Sequence, residues 1–310
     1  TYIKPINKMP KVLIAAPVHP VLTEALQRAG YTCESVLDIT QEEALVSVGQ
    51  YEGIITSTRL HIDKELLDRA QQLKFIGRMG SGMEIIDMPY AAQKGIICVS
   101  SPEGNANAVA EHALGMLLGL SKQIIKSNQE LHHGTWEREA NRGFELEDKT
   151  IAIIGFGHAG SAFAHKLSVF NMQILTYDTN PNISYPNYVK AQETMQRIYE
   201  EADIISYHVP ASQGNKHLFN EQFLENFHKP IILLNTSRGN VVDPIAVLNG
   251  LKKGKIRKAC FDVWETEPIS KMNEQQKSVF NALMADENVL FTPHIAGYSH
   301  EALFKMSLVI

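Results

Sequence analysis

Apolar residues in this chain fall into two spacings that take turns. Short unbroken runs read as strands buried on both faces: Lys11-Val-Leu-Ile-Ala15, Gly53-Ile-Ile-Thr56, Lys74-Phe-Ile-Gly-Arg-Met79 and Ile96-Ile-Cys98. Between them, Val21–Ala29, stopped by Gly30, and Asp63–Ala70 carry apolar groups at helical spacing. This alternation predicts a parallel sheet with helices on both faces, whose strand C-termini share one ligand-binding edge. Ser101-Pro102-Glu103-Gly104 interrupts the pattern and reads as a hinge. Val109–Leu131 then predicts one long helix with an apolar stripe through Ala113, Leu117 and Ile124, ended by His132-His133-Gly134. Trp136–Asp148 is a polar, irregular arm.

From residue 150 the alternation returns. Ile151–Ile154, Gln173–Tyr177, Asp203–Tyr207, Ile231–Asn235, Lys258–Asp262 and Val289–Phe291 read as strands, with helices at 192–201, 221–227 and 244–252. Six strands make up a dinucleotide-binding fold. Glu301–Ile310 begins one more helix, which reads as cut short. The expected class is α/β, with two doubly wound parallel-sheet domains.

Composition narrows the function. A length of 310 residues allows two domains, and 44% apolar with 20% charged residues is an ordinary globular balance. A formal charge of −5 argues against a nucleic-acid surface. No apolar run reaches membrane-spanning length and no signal peptide opens the chain, so a cytoplasmic protein is expected; Thr1 in the first position points to a trimmed or tagged start. Cys33, Cys98 and Cys260 are scattered, without C-x-x-C spacing, and read as small core residues of a reducing compartment. His132 and His133 are adjacent and diverge on a helix, so no metal site is expected there or elsewhere.

The stretch that organises the chain is Thr150-Ile-Ala-Ile-Ile-Gly155-Phe156-Gly157-His158-Ala159-Gly160. A buried strand runs into G-x-G-x-x-G and then into a helix. Gly155 permits the tight turn, Gly157 lets backbone approach a pyrophosphate, and Gly160 lets helix pack on strand. The helix N-terminus offers N–H groups and a positive dipole end. Asp178 ends the next strand about twenty residues further on, where an acid can accept from both hydroxyls of a ribose. It would repel a 2′-phosphate, and neither Thr179 nor Asn180 is basic, so NAD is favoured over NADP. Gly77-Arg-Met-Gly-Ser-Gly82 follows another strand and is either a loop whose N–H groups meet an anion or a plain turn.

Three residues at strand ends could carry chemistry. Arg238, in Asn235-Thr-Ser-Arg238, has the fork that clamps a carboxylate, although a lone arginine there is also an ordinary surface residue. Glu267, in Asp262-Val-Trp-Glu-Thr-Glu267-Pro268, and His294, in Thr292-Pro-His294, suit a carboxylate-supported proton shuttle. Each alone has a structural explanation; all three following one dinucleotide motif do not.

With these motifs in hand, the chain resembles the D-isomer-specific 2-hydroxyacid dehydrogenase family from Gly53 to about Ala302, nearest its phosphoglycerate and glycerate branch. The marks are Gly77–Asp87, Val109-Ala-Glu-His112, Gly155–Gly160 with Asp178, His208-Val209-Pro210, Asn235–Asp243, Asp262–Pro268 and Pro293-His294. The resemblance implies a flavodoxin-like substrate domain of residues 1–100 plus 295–310. It implies a Rossmann NAD-binding domain over 101–294, with a dimerisation helix and arm at about 105–148 and hence a homodimer. It places the catalytic Arg, Glu and His on Arg238, Glu267 and His294. Cofactor contacts fall on Gly155–Gly160, Asp178, His208, Val209, Pro210, Thr236, Ser237 and Asp262, the last meeting the nicotinamide carboxamide. Substrate contacts fall on Ser57, Thr58 and Arg59 and on the carboxylate loop Ser81, Gly82 and Met83.

The implied reaction is hydride transfer between NAD and C2 of a 2-hydroxy or 2-keto acid, with two domains closing over the substrate. Erythronate-4-phosphate dehydrogenase and the NAD-sensing corepressors resemble the same family and stand as alternatives. Formate dehydrogenase carries an amide where Glu267 stands.

Overall fold

The computed structural model of the chain describes residues 9–192 and 194–310. It forms two compact units, one built from residues up to Asn105 together with Tyr298–Ile310, the other from Ala106–Gly297.

The first unit is a five-stranded parallel sheet: β1 (Lys11–Ile14), β2 (Thr32–Ser35), β3 (Tyr51–Thr56), β4 (Phe75–Arg78) and β5 (Ile97–Ser100), in the order β2-β1-β3-β4-β5. This is the flavodoxin order. Alternate residues of β1 serve opposite faces: Leu13 joins Ile54, Leu66 and Ile76, while Val12 and Ile14 join Ile55 and Met79. Each such fully buried side chain contributes roughly 1.5–3 kcal/mol. The C-terminal helix His300–Val309 covers the second face through Leu303 and Met306. A Cβ on Gly104 would lie 2.5 Å from the Met306 nitrogen, so close approach of that helix requires glycine.

The second unit carries β6 (Thr150–Ile154), β7 (Gln173–Tyr177), β8 (Val189–Ala191), β9 (Ile204–Tyr207), β10 (Ile231–Asn235), β11 (Ile256–Phe261) and β12 (Val289–Phe291). All pair in parallel, in the order β12-β11-β10-β9-β6-β7-β8. The chain starts at β6, builds outward through β7 and β8, then returns to the other side of β6 at β9. The reversal leaves a crevice beyond the C-termini of β6 and β9, the place where such sheets bind ligands.

The structure corrects the sequence reading in several places. The seventh strand, β8, was not expected; only Val189 of it is buried, so it shows no apolar run. The expected long helix is two helices, Pro102–Ser121 and Ile124–His132, broken at Gln123 with φ 56°. The Ser121 carbonyl accepts from Phe144 N–H at 3.0 Å, and Gly143 lies against it, so the returning arm takes the acceptor that ends the first helix. Ser101–Gly104 is not a break in the pattern: Pro102 starts the helix, where its missing N–H costs nothing. The helix expected over 192–201 spans Gln196–Glu201, and position 193 lies outside the described residues.

Candidate active site

The glycine turn sits at the reversal of the second sheet. Gly155 has φ 91°, and a Cβ on it would come within 2.6 Å of the His208 carbonyl oxygen, so the ends of β6 and β9 touch there. A Cβ on Gly160 would lie 2.1 Å from the Gly155 oxygen. Gly157 precedes the helix His158–Leu167, has open space where a Cβ would point, and caps the helix with no side chain. That helix N-terminus has no side-chain cap and turns its positive dipole end toward an incoming anion. Phe156 N–H donates to Asp178 Oδ2 at 2.6 Å and Asn180 N–H to Oδ1 at 2.8 Å, which brings the acid to the turn.

Across the crevice, His208 Nε2 lies 2.8 Å from Ser206 Oγ, while its Nδ1 is buried without a partner. Burial pulls the imidazole down to about 4, so the ring is neutral at ordinary pH. Val209 is half-buried and Pro210 exposed. Thr236 is 7% exposed and its Oγ1 is also buried without a partner. Ser237 is tied back to Asn235 Oδ1 through N–H at 3.1 Å and Oγ–H at 2.8 Å. A buried unsatisfied polar atom costs about 1–3 kcal/mol. Two of them, just past the ends of β9 and β10 in the sheet whose β6 leads into the uncapped helix and the open glycine, are what a bound dinucleotide would relieve, so these residues fit NAD.

Arg238, Glu267 and His294 lie on three loops following β10, β11 and β12. Asn235 Nδ2 donates to the Arg238 carbonyl at 2.9 Å, and Arg238 Nη1 to the Ser237 carbonyl at 2.8 Å, which fixes the start of the arginine loop. Glu267 Oε1 accepts from Trp264 N–H at 2.7 Å and Oε2 meets His294 Nδ1 at 2.6 Å. Burial pushes the Glu267 carboxyl up, but the bonds from His294 and Trp264 and the charges of His294 and Arg238 outweigh it and hold it below its ordinary range. An ionised Glu267 orders the ring with Nδ1–H toward itself, which leaves Nε2 as the nitrogen that exchanges a proton. His294 itself has φ 56°.

Asp262, 1% exposed, sits beneath this loop. Its Oδ1 accepts from Thr292 Oγ1 at 2.5 Å and Ile295 N–H at 2.9 Å, its Oδ2 from Ala296 N–H at 2.8 Å.

In the other unit, Ser57 is half-buried and Thr58 and Arg59 are exposed, after β3. Ser81 is exposed, and Gly82 and Met83 half-buried, with Met83 packed on the core. Of the loop N–H groups expected to face an anion, that of Met79 donates to the Thr56 carbonyl at 2.8 Å and that of Gly80 to Ser101 Oγ at 3.0 Å; both are spent inside the unit. Among the described residues no group of three or more His, Cys, Asp and Glu could hold a metal, and no helix is long and apolar enough to cross a membrane.

The family model described as "D-isomer specific 2-hydroxyacid dehydrogenase, NAD binding domain" matches residues 114–296. The chain belongs to the D-isomer-specific 2-hydroxyacid dehydrogenase family. It is 30% identical over 272 residues to hydroxypyruvate reductase of Thermotoga maritima, covering 87% of this chain and 86% of that one. It is 31% identical over 306 residues to D-3-phosphoglycerate dehydrogenase of Archaeoglobus fulgidus, covering 97% of this chain and 56% of the relative. The chain therefore spans little more than half the length of that relative, and the same holds for two further phosphoglycerate dehydrogenases at 55% and 52%. Among solved structures, D-lactate dehydrogenase of Aquifex aeolicus, complexed with NAD and lactic acid, superimposes with a TM-score of 0.81 at 26% identity, over 96% of this chain and 92% of that one.

As a member of this family, the chain has an NAD-binding domain, and around its candidate site stand residues that the sequence reading left without a role. Thr292 and His112 meet at 2.9 Å, Ser206 holds the His208 ring, and the Trp264 N–H holds Glu267. Thr292 had a legible signal, two positions before His294. The backbone donor of Trp264 had none, because an N–H looks the same at every residue.

Proposed function

We propose that this chain interconverts a D-2-hydroxy acid and its 2-keto acid with NAD as the redox partner. The observation that supports it best is the 2.6 Å contact between His294 Nδ1 and Glu267 Oε2, with Arg238 close enough to act on the same carboxylate. The dinucleotide, when bound, supplies or accepts the hydride at C2. The Gly155–Gly160 turn receives its pyrophosphate, Asp178 its ribose, and His208, Val209, Pro210, Thr236, Ser237 and Asp262 line the rest. In reduction His294 Nε2–H gives its proton to the C2 oxygen; in oxidation the same nitrogen takes it back. Glu267 stabilises the imidazolium that carries the proton. Arg238 holds the substrate carboxylate and polarises the keto oxygen. The family pattern further assigns the carboxylate to Ser81, Gly82 and Met83, and the rest of the substrate to Ser57, Thr58 and Arg59.

The substrate belongs with the three-carbon acids of the phosphoglycerate and glycerate branch, and the protein works as a cytoplasmic homodimer. Exposed Ile124, Ile125, Leu131 and Trp136 on the second of the two helices and the arm supply an apolar surface suited to a second copy. Light scattering reads the assembly. Turnover of hydroxypyruvate, glyoxylate, pyruvate and phosphohydroxypyruvate with NADH tests the reaction and sorts the substrate. His294→Ala should lower kcat by three orders of magnitude or so while NADH still binds. No turnover of any of the four acids, or near-normal turnover by His294→Ala, refutes the reading.

A further inference from the structure

We propose that His112 and Thr292 are positioning residues for the loop that carries His294, acting through the Asp262 carboxylate. The inference rests on the dehydrogenase reading above.

Hydrogen-bond accounting fixes the direction of the chain. A buried carboxylate only accepts, so the Thr292 hydroxyl, 2.5 Å from Asp262 Oδ1, donates its one proton there. Thr292 Oγ1 can then only accept from His112 Nε2, 2.9 Å away. The same imidazole nitrogen stands 3.5 Å from Asp262 Oδ1. His112 comes from the helix Pro102–Ser121, and Met116, one turn further along it, brings its sulfur within 3.9 Å of the same hydroxyl. A helix distant in sequence thus holds the hydroxyl, and the hydroxyl fixes the carboxylate.

What the carboxylate does with that orientation is the point. Three successive N–H groups end on Asp262: His294 on its backbone carbonyl at 2.7 Å, Ile295 on Oδ1 at 2.9 Å and Ala296 on Oδ2 at 2.8 Å. His294 needs this grip. Its φ of 56° lies in the left-handed region, which costs a non-glycine residue about 1–2 kcal/mol and persists only where neighbours over-determine it. Left free, the backbone would relax and swing Nδ1 away from Glu267. Neither His112 nor Thr292 touches Glu267 in the described contacts, so their effect on proton transfer runs through geometry alone.

The test uses the full chain and four variants. Thr292→Val keeps the shape and removes the hydroxyl; Thr292→Ser restores it. His112→Phe removes the donor; His112→Gln places an amide N–H near the same point. Rates are expressed per NADH-binding site titrated by fluorescence, so that lost folding does not count as lost catalysis. The expected result is a tenfold or larger fall in kcat for Thr292→Val and a three- to tenfold fall for His112→Phe. The KM for the keto acid and the Kd for NADH should stay within threefold, and Thr292→Ser and His112→Gln should recover most of the rate. Amide exchange at residues 294–296 should quicken in the two damaged variants. Unchanged kcat per site, or a loss that neither Ser nor Gln rescues, overturns the proposal. If Thr292→Val does not fold, the His112 pair decides alone, since it leaves the Thr292–Asp262 bond in place. His294→Ala is run beside them: full activity there sinks the dehydrogenase reading itself, whatever the four variants do.

Discussion

Gly239 lies directly on the backbone of Trp264: a Cβ built on it would stand 1.9 Å from the Trp264 carbonyl carbon and 2.0 Å from its oxygen. The loop bearing Arg238 thus rides on the loop whose Trp264 N–H holds Glu267. His217 Nε2, 2.8 Å from Glu265 Oε1, ties a third segment to the same place. Glycine here sets the spacing between the loop of Arg238 and the loop of Glu267.

Gly239→Ala should therefore force the two loops apart by an ångström or more. Misplacement on that scale lowers rate on the order of a hundredfold, and overpacking costs stability of about 1–3 kcal/mol. The expected signature is a large fall in kcat/KM for the keto acid with NADH affinity nearly intact, measured by steady-state kinetics beside fluorescence titration. A kcat/KM within threefold of the parent chain would show that the loops give way without consequence.

This contact also shows where reading from sequence stops. Ile151–Ile154 running into Gly155 could be read as strand and turn because the period of the pattern and the special backbone demand of glycine are both written in residue types. Arg238, Glu267 and His294 could be picked out because each follows a strand and carries chemistry in its side chain. The packing of Gly239 on Trp264 could not, since it joins residues on different loops and shows in neither one's type. The edge strands β2 and β8 went unread for a related reason: Thr32-Cys-Glu-Ser35 and Val189-Lys-Ala191 bury too little to show an apolar run. The Thr40–Glu43 capping box that opens the helix Gln41–Ser47 was there to be read.

The neutral, enclosed ring of His208 makes stability depend on pH in a definite direction. Folding pulls its pKa from 6.5 down to about 4 through desolvation. Between those values the unfolded chain binds a proton that the folded chain refuses, so stability is full above about pH 6.5 and is lost as pH falls toward 4. The upper bound is about 3 kcal/mol. Glu267, held below the ordinary carboxylate range, adds its own loss only further down. Urea midpoints of the cofactor-free chain should decline from pH 7 to pH 4.5, and His208→Gln, which keeps a donor toward Ser206, should flatten that decline. Parallel curves for the two proteins would remove His208 from the account.

Asp178 should decide which dinucleotide is used. Its carboxylate is drawn to the glycine turn by the Phe156 and Asn180 N–H groups, and Thr179 and Asn180 beside it bring no positive charge. A 2′-phosphate placed there would set a doubly charged anion against a carboxylate. At about 4–5 Å and an effective dielectric between surface and bulk values, each charge pair costs on the order of 1–4 kcal/mol, which is roughly a hundredfold or more in affinity. The kcat/KM with NADPH should accordingly lie about two orders of magnitude below that with NADH, chiefly through KM. Asp178→Ser combined with Thr179→Arg should raise the NADPH value and lower the NADH value, the latter because the ribose hydroxyls lose a charged acceptor. Initial rates with both cofactors on one keto acid measure it, and equal efficiency of NADH and NADPH in the parent chain would show that Asp178 serves the turn and not the ribose.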